Sequence, residues 1–390
     1  MSAAETTLDP LLAWRSEFPI LAHKTYLVNH SLGAMPRGVK ESLLAFAERW
    51  ECDGIEAWET WFPLIQATGD MLGRLMNAPA GSVMMHQNVS TLQSILASCF
   101  DFSGSKNGVV YEAMNFTTVH YLWQEQQRIG AKVRLVESPD GIHVPTEKVL
   151  DAIDDTTLVV PISHVLFQSN YVQDAKAIIE KAHHHGAHVV LDTYQSLGIV
   201  PLDVQALGVD FVVGGSVKWL CGGPGAAYLY VRPDLVPHFA PRQTGWLSHK
   251  APFAFRMDME YADDVLRFLG GSPGVASLYS AREGYRIIAE VGVEAIRAKS
   301  LRQTRKLMAL AQAANLQIKN PQNDQMRGGT VCIDFPGSQA VSQALLRHNF
   351  QIDHRPACGI RVSPHFYNTD EEVERFVAAV VSLRDELRDA

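Results

Sequence analysis

Ala187 to Val231 reads AHVVLDTYQSLGIVPLDVQALGVDFVVGGSVKWLCGGPGAAYLYV, and the fold is decided there. His188 to Leu191 form a short β-branched apolar run that ends on Asp192, which puts a carboxylate at the C-terminal tip of a buried strand. A second run, Asp210 to Val213, breaks into Gly214, Gly215 and Ser216 and reaches Lys218. An aspartate and a lysine therefore stand at the ends of two neighbouring strands. No Gly-Lys-Ser/Thr follows the glycines, and Gly223-Pro224-Gly225 runs into the strand-like Ala226 to Val231, so neither a Walker loop nor a dinucleotide fingerprint fits.

Taken singly, Asp192 reads as a turn residue and Lys218 as a solvated lysine. Together they match pyridoxal phosphate chemistry, in which a lysine holds the cofactor aldehyde as a Schiff base and an acid faces the pyridine nitrogen. Asp192 would keep that nitrogen protonated, because a nearby negative charge favours the charged form. Lys218, released by substrate, would move protons at the substrate α-carbon. Gln195, three residues past Asp192, could donate to the ring hydroxyl.

Composition bounds the rest. The 390 residues, 47% hydrophobic and 19% charged, describe a globular chain long enough for a large domain with a smaller one beside it. A net charge of −8 without a basic run gives no footprint for nucleic acid or an anionic membrane surface. No apolar run approaches a membrane span, and the N-terminus lacks a basic start followed by an apolar core, so the expected location is the cytoplasm. Cys52, Cys99, Cys221, Cys332 and Cys358 are scattered without a CxxC pair, which favours reduced thiols over disulfides or a zinc site.

Outward from the central stretch, strands are expected at Val83 to His86, Val109 to Glu112, Lys132 to Val136 and Leu158 to Ser163. Helices are expected at Thr91 to Ser98, Val119 to Ile129, Thr146 to Ile153 and Asp174 to His184. Such alternation predicts an α/β fold, a mostly parallel sheet with helices on both faces. Further helices are expected at Leu8 to Phe18, Lys40 to Arg49 and Pro63 to Met76, with an extended Thr25 to Val28 and a turn at Asn29 to Pro36. Trp50, Trp58 and Trp61 read either as packing or as a pocket wall. Beyond Val275, two helices, several short strands and a final helix from Asp370 predict a small α+β C-terminal domain.

Two strand-to-helix turns are candidate cofactor contacts. Gln87 to Thr91 opens a helix and suits a phosphate, or an ordinary N-cap. Asn115 to Thr118 carries Phe116, which either stacks on a ring or belongs to the core. Arg361, flanked by apolar residues on a strand, needs a partner, either a substrate carboxylate or an internal acid. His183, His184, His185 and His188 invite a metal reading, but adjacent helical histidines point apart and suit a helix C-terminus.

These pieces resemble the class V aminotransferase superfamily of pyridoxal phosphate enzymes of fold type I, and within it the kynureninases most. NHSLGAMP, Gly69 to Leu75, NFTTVHY, GWLSH and RPACGIRVSPHFYNTDEEV carry the likeness over nearly the whole chain. The resemblance implies an aspartate aminotransferase-like fold, divided into an N-terminal segment (1–50) packing with the small domain, a large cofactor domain (51–273) and the small domain (274–390). It implies that Lys218 is the Schiff-base lysine, Asp192 the pyridine partner and Phe116 the stacking ring. Val89 and Ser90 match the phosphate loop, Ser163 another cofactor contact, and Arg361 the binder of the substrate α-carboxylate. Trp246 and the Ser272 loop would reach the phosphate region of a neighbouring subunit, which makes the expected assembly a homodimer with shared sites.

Four positions depart from the kynureninase pattern. Gln195 stands for a His, Val217 for a phosphate-binding Tyr, Val119 for an Asp and Ser272 for an Asn, with Ser216 a substitute phosphate donor. The expected activity is hydrolytic cleavage of a β,γ carbon-carbon bond in an L-α-amino acid of kynurenine type, giving alanine and an aryl acid. Transamination and a racemisation like that of isopenicillin N epimerase are the alternatives. Cysteine desulfuration would need a mobile thiol, and Cys358 is poorly placed to supply one.

Overall fold

The computed structural model describes residues 9–389. A seven-stranded sheet runs in the order Val83–His86, Ala227–Val231, Phe211–Gly215, His188–Asp192, Thr157–Ser163, Gly108–Glu112 and Lys132–Val136. The last five strands are mutually parallel, and Ala227–Val231 runs antiparallel to both of its neighbours. The expected mostly parallel sheet is therefore present, with one reversed strand that returns the chain after Lys218.

Burial on both faces explains the β-branched runs. Val189, Leu191 and Val212 pack on one side, under helices Trp58–Gly73, Thr146–Ala152, Ala175–His184 and Val275–Val291. Val190, Phe211 and Val213 pack on the other, under Val89–Ala97 and Thr117–Glu125. Each such side chain contributes about 1.5–3 kcal/mol by leaving water, and period-two alternation assigns each residue one face. Side-chain caps fix several helix starts, with Asn88 accepting from Thr91 N–H and Asp174 from Ala177 N–H.

A second sheet, all antiparallel, has the order Asp353–Arg355, Gly359–Val362, Val331–Asp334 and Gln317–Ile318. Its core joins helices Val293–Ala313, Ser338–Arg347 and Asp370–Asp389, and includes Leu27 from the N-terminal segment. Thr25–Tyr26 pairs with Phe350–Gln351 in a separate two-stranded sheet, and Val28 bridges to Ser363 just past Gly359–Val362, so residues 25–28 are tied to this second unit.

Some boundaries differ from the sequence reading. The expected N-terminal helix is a 3₁₀ segment, Pro10–Glu17, while Leu8 lies outside the described residues. The helix expected from Pro63 begins at Trp58; Pro63 sits in its second turn, where a missing N–H forgoes only one intrahelical bond. Trp58, Trp61, Phe46 and Phe62 pack together, with Phe62 also against the sheet core, and Trp50 is exposed. His183 and His188 face the buried Asp210 rather than each other. No helix among the described residues is long and apolar enough to cross a membrane.

Candidate active site

Parallel strands end together, and three of them end here. Ser163, Asp192 and Val213 lie side by side in register at the C-terminal edge, and the chain turns away from Gly215 to bring Lys218 above them. A cavity of about 330 Å³ opens at this edge, lined among others by Val89, Ser90, Phe116, Ser163, Gln195 and Lys218, with Asp192 at its base. Ser31 of the NHSLG turn closes one side. That turn is locked to the lysine loop, since Gly33 N–H donates to Val217 O at 2.7 Å and a side chain at Gly33 would collide with the Lys218 carbonyl. Only glycine permits this approach.

Lys218 has no hydrogen bond or ion pair among the described residues. Its ammonium lies 4.4 Å from the Tyr194 ring centroid and 5.8 Å from that of Phe116. Burial lowers its pKa to about 8; Asp192 opposes that fall and Arg361 adds to it. Burial likewise raises Asp192 to about 6, against the pull of the Tyr194 N–H and the Lys218 charge. Asp192 Oδ1 accepts the Tyr194 N–H at 2.9 Å, and among the described residues nothing engages Oδ2. An amine that titrates near pH 8 and an acid with one oxygen unengaged among the described residues thus share one wall.

The rest of the wall is polar and braced. Helix Val89–Ala97 begins at the cavity, and the Ser90 and Thr118 hydroxyls stand 3.3 Å apart beside its first turn. Such a helix start receives anions. Phe116 is 47% exposed, so its ring belongs to the cavity and not to the core, and it stands edge-on to Phe167 at 5.3 Å. Ser163 Oγ donates to Asn115 Oδ1 at 2.7 Å, and its N–H donates to Glu112 at 3.0 Å. Glu112, fully buried, is raised to about 8 by desolvation and is held as a neutral acid at pH 7. Gln195 Nε2 donates to His30 O at 3.1 Å while its Oε1 accepts from Trp219 Nε1 at 3.2 Å, which fixes the amide orientation.

Four residues singled out in the sequence do not line this cavity. Ser216 is buried with its hydroxyl on that of Tyr285. Trp246 sits in a 3₁₀ turn among Phe62, Phe253 and Phe255, and Ser272 is on the surface. Arg361 lies behind Phe167, donating to its carbonyl at 3.2 Å, and is paired with Asp353 through two bonds of 2.8 and 2.6 Å. The internal acid left open by the sequence is thus Asp353. Tyr194 and Glu112 are further neighbours that sequence reasoning missed.

The sequence model described as "Aminotransferase class-V" matches residues 65–376. The chain belongs to the class V aminotransferase family. It is 29% identical to "Uncharacterized aminotransferase YcbU" of Bacillus subtilis, over 95% of this chain and 97% of that protein. It is 29% identical to a kynureninase of Pseudomonas fluorescens, over 90% and 86% of the two chains, and 30% identical to one of Burkholderia pseudomallei, over 89% and 86%. Among solved structures it resembles a cysteine desulfurase from Thermococcus onnurineus, with a TM-score of 0.85 at 19% identity over 98% and 99% of the chains. It also resembles a C-DES mutant with glycine covalently linked to the PLP cofactor, with a TM-score of 0.84 at 20% identity over 94% and 98%. At these identities the structural likeness establishes the fold.

As a class V protein the chain is an enzyme whose cofactor is pyridoxal 5′-phosphate. The cavity fits that group: an anion-receptive helix start, an exposed aromatic ring, a buried carboxylate with a free oxygen and an unbonded lysine amine meet in one place. Lys218 would hold it covalently, with Asp192, Phe116, Ser90 and Gln195 around it.

Proposed function

We propose that this class V enzyme acts on an L-α-amino acid and cleaves its β,γ carbon-carbon bond by hydrolysis, as a kynureninase does, giving alanine and an aryl acid. When bound, the cofactor supplies an electron sink for negative charge at the substrate α-carbon. Lys218, whose pKa burial lowers to about 8, reaches its free-amine form far more readily than an ordinary lysine and moves the α-proton. Asp192, as an anion, holds a proton on the pyridine nitrogen. Arg361, paired with Asp353 behind Phe167, serves the substrate carboxylate through the N–H groups that this pairing leaves over. We assign residues 51–273 to the cofactor domain and 274–390 to the smaller domain that carries Arg361, with helix Val275–Val291 joining the two by packing under the large sheet and the N-terminal segment packed on the smaller domain.

The observation that carries this reading is the unbonded Lys218 amine between two aromatic rings, with a buried acid at its side. Kynureninases among the relatives support the finer assignment. Desulfuration is disfavoured because no cysteine lines the cavity; Cys358 is 2% exposed and burial pushes its thiol up. Exposed Trp246, Phe253, Phe255 and Met257 form an apolar group that suits coverage by a second copy, so we expect a particle of twice the 43.1 kDa chain mass.

The test is incubation with L-kynurenine with and without a 2-oxo acid. Anthranilate formed without the 2-oxo acid supports hydrolysis. Conversion of the cofactor to its amine form without anthranilate contradicts it and makes the enzyme a transaminase. Racemised substrate points to the epimerising branch.

A further inference from the structure

Behind the cavity wall lies a charged cluster that the reading above uses only in part. Arg361, 4% exposed, gives Nε and one terminal nitrogen to the two oxygens of Asp353, at 2.8 and 2.6 Å. Its other terminal nitrogen bonds the carbonyl of Phe167, a cavity-wall residue. Asp353 is itself held from two more sides. His30 Nε2 reaches Oδ1 at 2.9 Å, and Arg355 reaches Oδ2 at 3.2 Å.

His30 is immobilised in turn. Its Nδ1 meets Ser363 Oγ at 2.6 Å, its N–H donates to the same hydroxyl at 3.1 Å, and its carbonyl accepts from Gln195 in the cavity wall. Burial lowers its pKa to about 4, with Arg361 pushing the same way and Asp353 opposing, so the ring is neutral at pH 7. A carboxylate only accepts, so Nε2 carries the ring proton and Nδ1 accepts from Ser363. Burial would raise Asp353, but its bonds to His30 and Arg361 prevail and hold it well below the usual carboxylate range. Two arginines, one carboxylate and a neutral imidazole leave a single net positive charge.

The fork of Arg361 is its most directional face, and Asp353 takes it permanently. Three of its five N–H groups are engaged, and what remains is one N–H on each terminal nitrogen, beside Phe167, in one fixed orientation. A guanidinium so braced loses little freedom when a ligand binds. We propose that Asp353, anchored by His30, is the positioning residue of a receiver for one carboxylate, holding Arg361 so that an α-amino acid is selected over its uncharged counterpart. This rests on the reading of Arg361 as the carboxylate binder. It also gives the NHSLG turn a role: through His30 and Gln195 it ties the carboxylate receiver to the cofactor wall.

Positioning and mere charge balance predict opposite results for Asp353→Asn. Asparagine presents an N–H₂ where His30 or Arg361 must donate, so the guanidinium loses its held orientation and carboxylate binding weakens. If Asp353 only competed for Arg361, removing its charge would tighten carboxylate binding instead.

The experiment uses the cofactor-loaded full chain and follows the cofactor absorbance as L-alanine or L-alaninamide is added, in the parent and in Asp353→Asn, His30→Ala and Arg361→Ala. The parent should prefer the acid, and Arg361→Ala should abolish the preference. Asp353→Asn should cut it by about tenfold or more, on the scale of one charge-assisted hydrogen bond, with alaninamide binding unchanged. His30→Ala, which leaves the Asp353–Arg361 pair in place, should give a smaller loss in the same direction. No acid preference in the parent, or a preference that survives Arg361→Ala, overturns the underlying reading of Arg361. A preference lost in Arg361→Ala but unchanged or increased in Asp353→Asn overturns the positioning role. Should Asp353→Asn fail to fold, an unchanged preference in His30→Ala does the same.

Discussion

Two buried acid-base pairs lie a short way apart in this molecule, and they have been treated in opposite ways. Lys218 and Asp192 share a wall without an ion pair, and burial drives them toward each other in pKa, the lysine down to about 8 and the acid up to about 6. Arg361 and Asp353 are joined by two bonds, with His30 and Arg355 filling the remaining acceptor positions, and the acid is driven down. Burial without a partner leaves groups that can still gain or lose a proton near neutrality. Burial with a complete set of partners fixes charge and orientation. The first arrangement suits chemistry and the second suits recognition.

That contrast can be broken in order of expected effect. Lys218→Ala removes the proposed covalent anchor, so turnover should fall about 10⁴-fold and the visible chromophore should be lost from the purified protein. Retained turnover would remove Lys218 from the mechanism. Asp192→Asn keeps shape but not charge, so cofactor should stay bound while turnover drops about 10²–10³-fold, measured at saturating substrate. A similar drop in a variant of an exposed acid such as Asp263 would show that the effect is not local.

A milder change comes from pH. In cofactor-free protein, the rate of cofactor capture should rise with pH as the Lys218 amine loses its proton and level off above about 8, well below the ordinary lysine value of 10.5. A rate still climbing at pH 10 would mean that burial does not tune this amine. The smallest effect concerns Glu112, a buried acid with no charge partner among the described residues. Its folded pKa of about 8 lies above the ordinary 4.5, so its stabilising contribution is complete below 4.5 and is lost as pH rises through 8. Glu112→Gln cannot ionise, and its Tm relative to the parent should climb steadily over that window. A flat difference would show that Glu112 is ionised in the fold.

The sequence carried the large sheet well, because β-branched runs buried on both faces and ending on polar residues admit few other arrangements, as His188–Asp192 and Phe211–Gly215 illustrate. It also put Asp192, Gln195 and Lys218 close to one another, since adjacent parallel strands bring their ends together. Ser216 was another matter. It has the same parity as Lys218 and would share its side in an extended chain, but the strand stops at Gly215 and the turn sends its hydroxyl to Tyr285. Tyr194 beside Lys218 depends on Gly215 having no side chain, a tertiary fact with no local signal.

Asp353 was half legible. An internal acid for Arg361 is a natural expectation, but its identity follows from hairpin register, with left-handed Ala357 and Gly359 setting Asp353 opposite Arg361. Reading 353–361 as a hairpin would have found it. Contacts to a second subunit, expected of Trp246 and Ser272, depend on a surface that one chain's pattern does not contain.

The most direct test of the central claim is to reduce the cofactor-loaded protein with borohydride, digest it and locate the fixed cofactor by mass spectrometry. The peptide bearing Lys218 should carry the whole of the label, one cofactor per chain. Label on a different lysine, or a Lys218 peptide left unmodified in active protein, would contradict the assignment of this site.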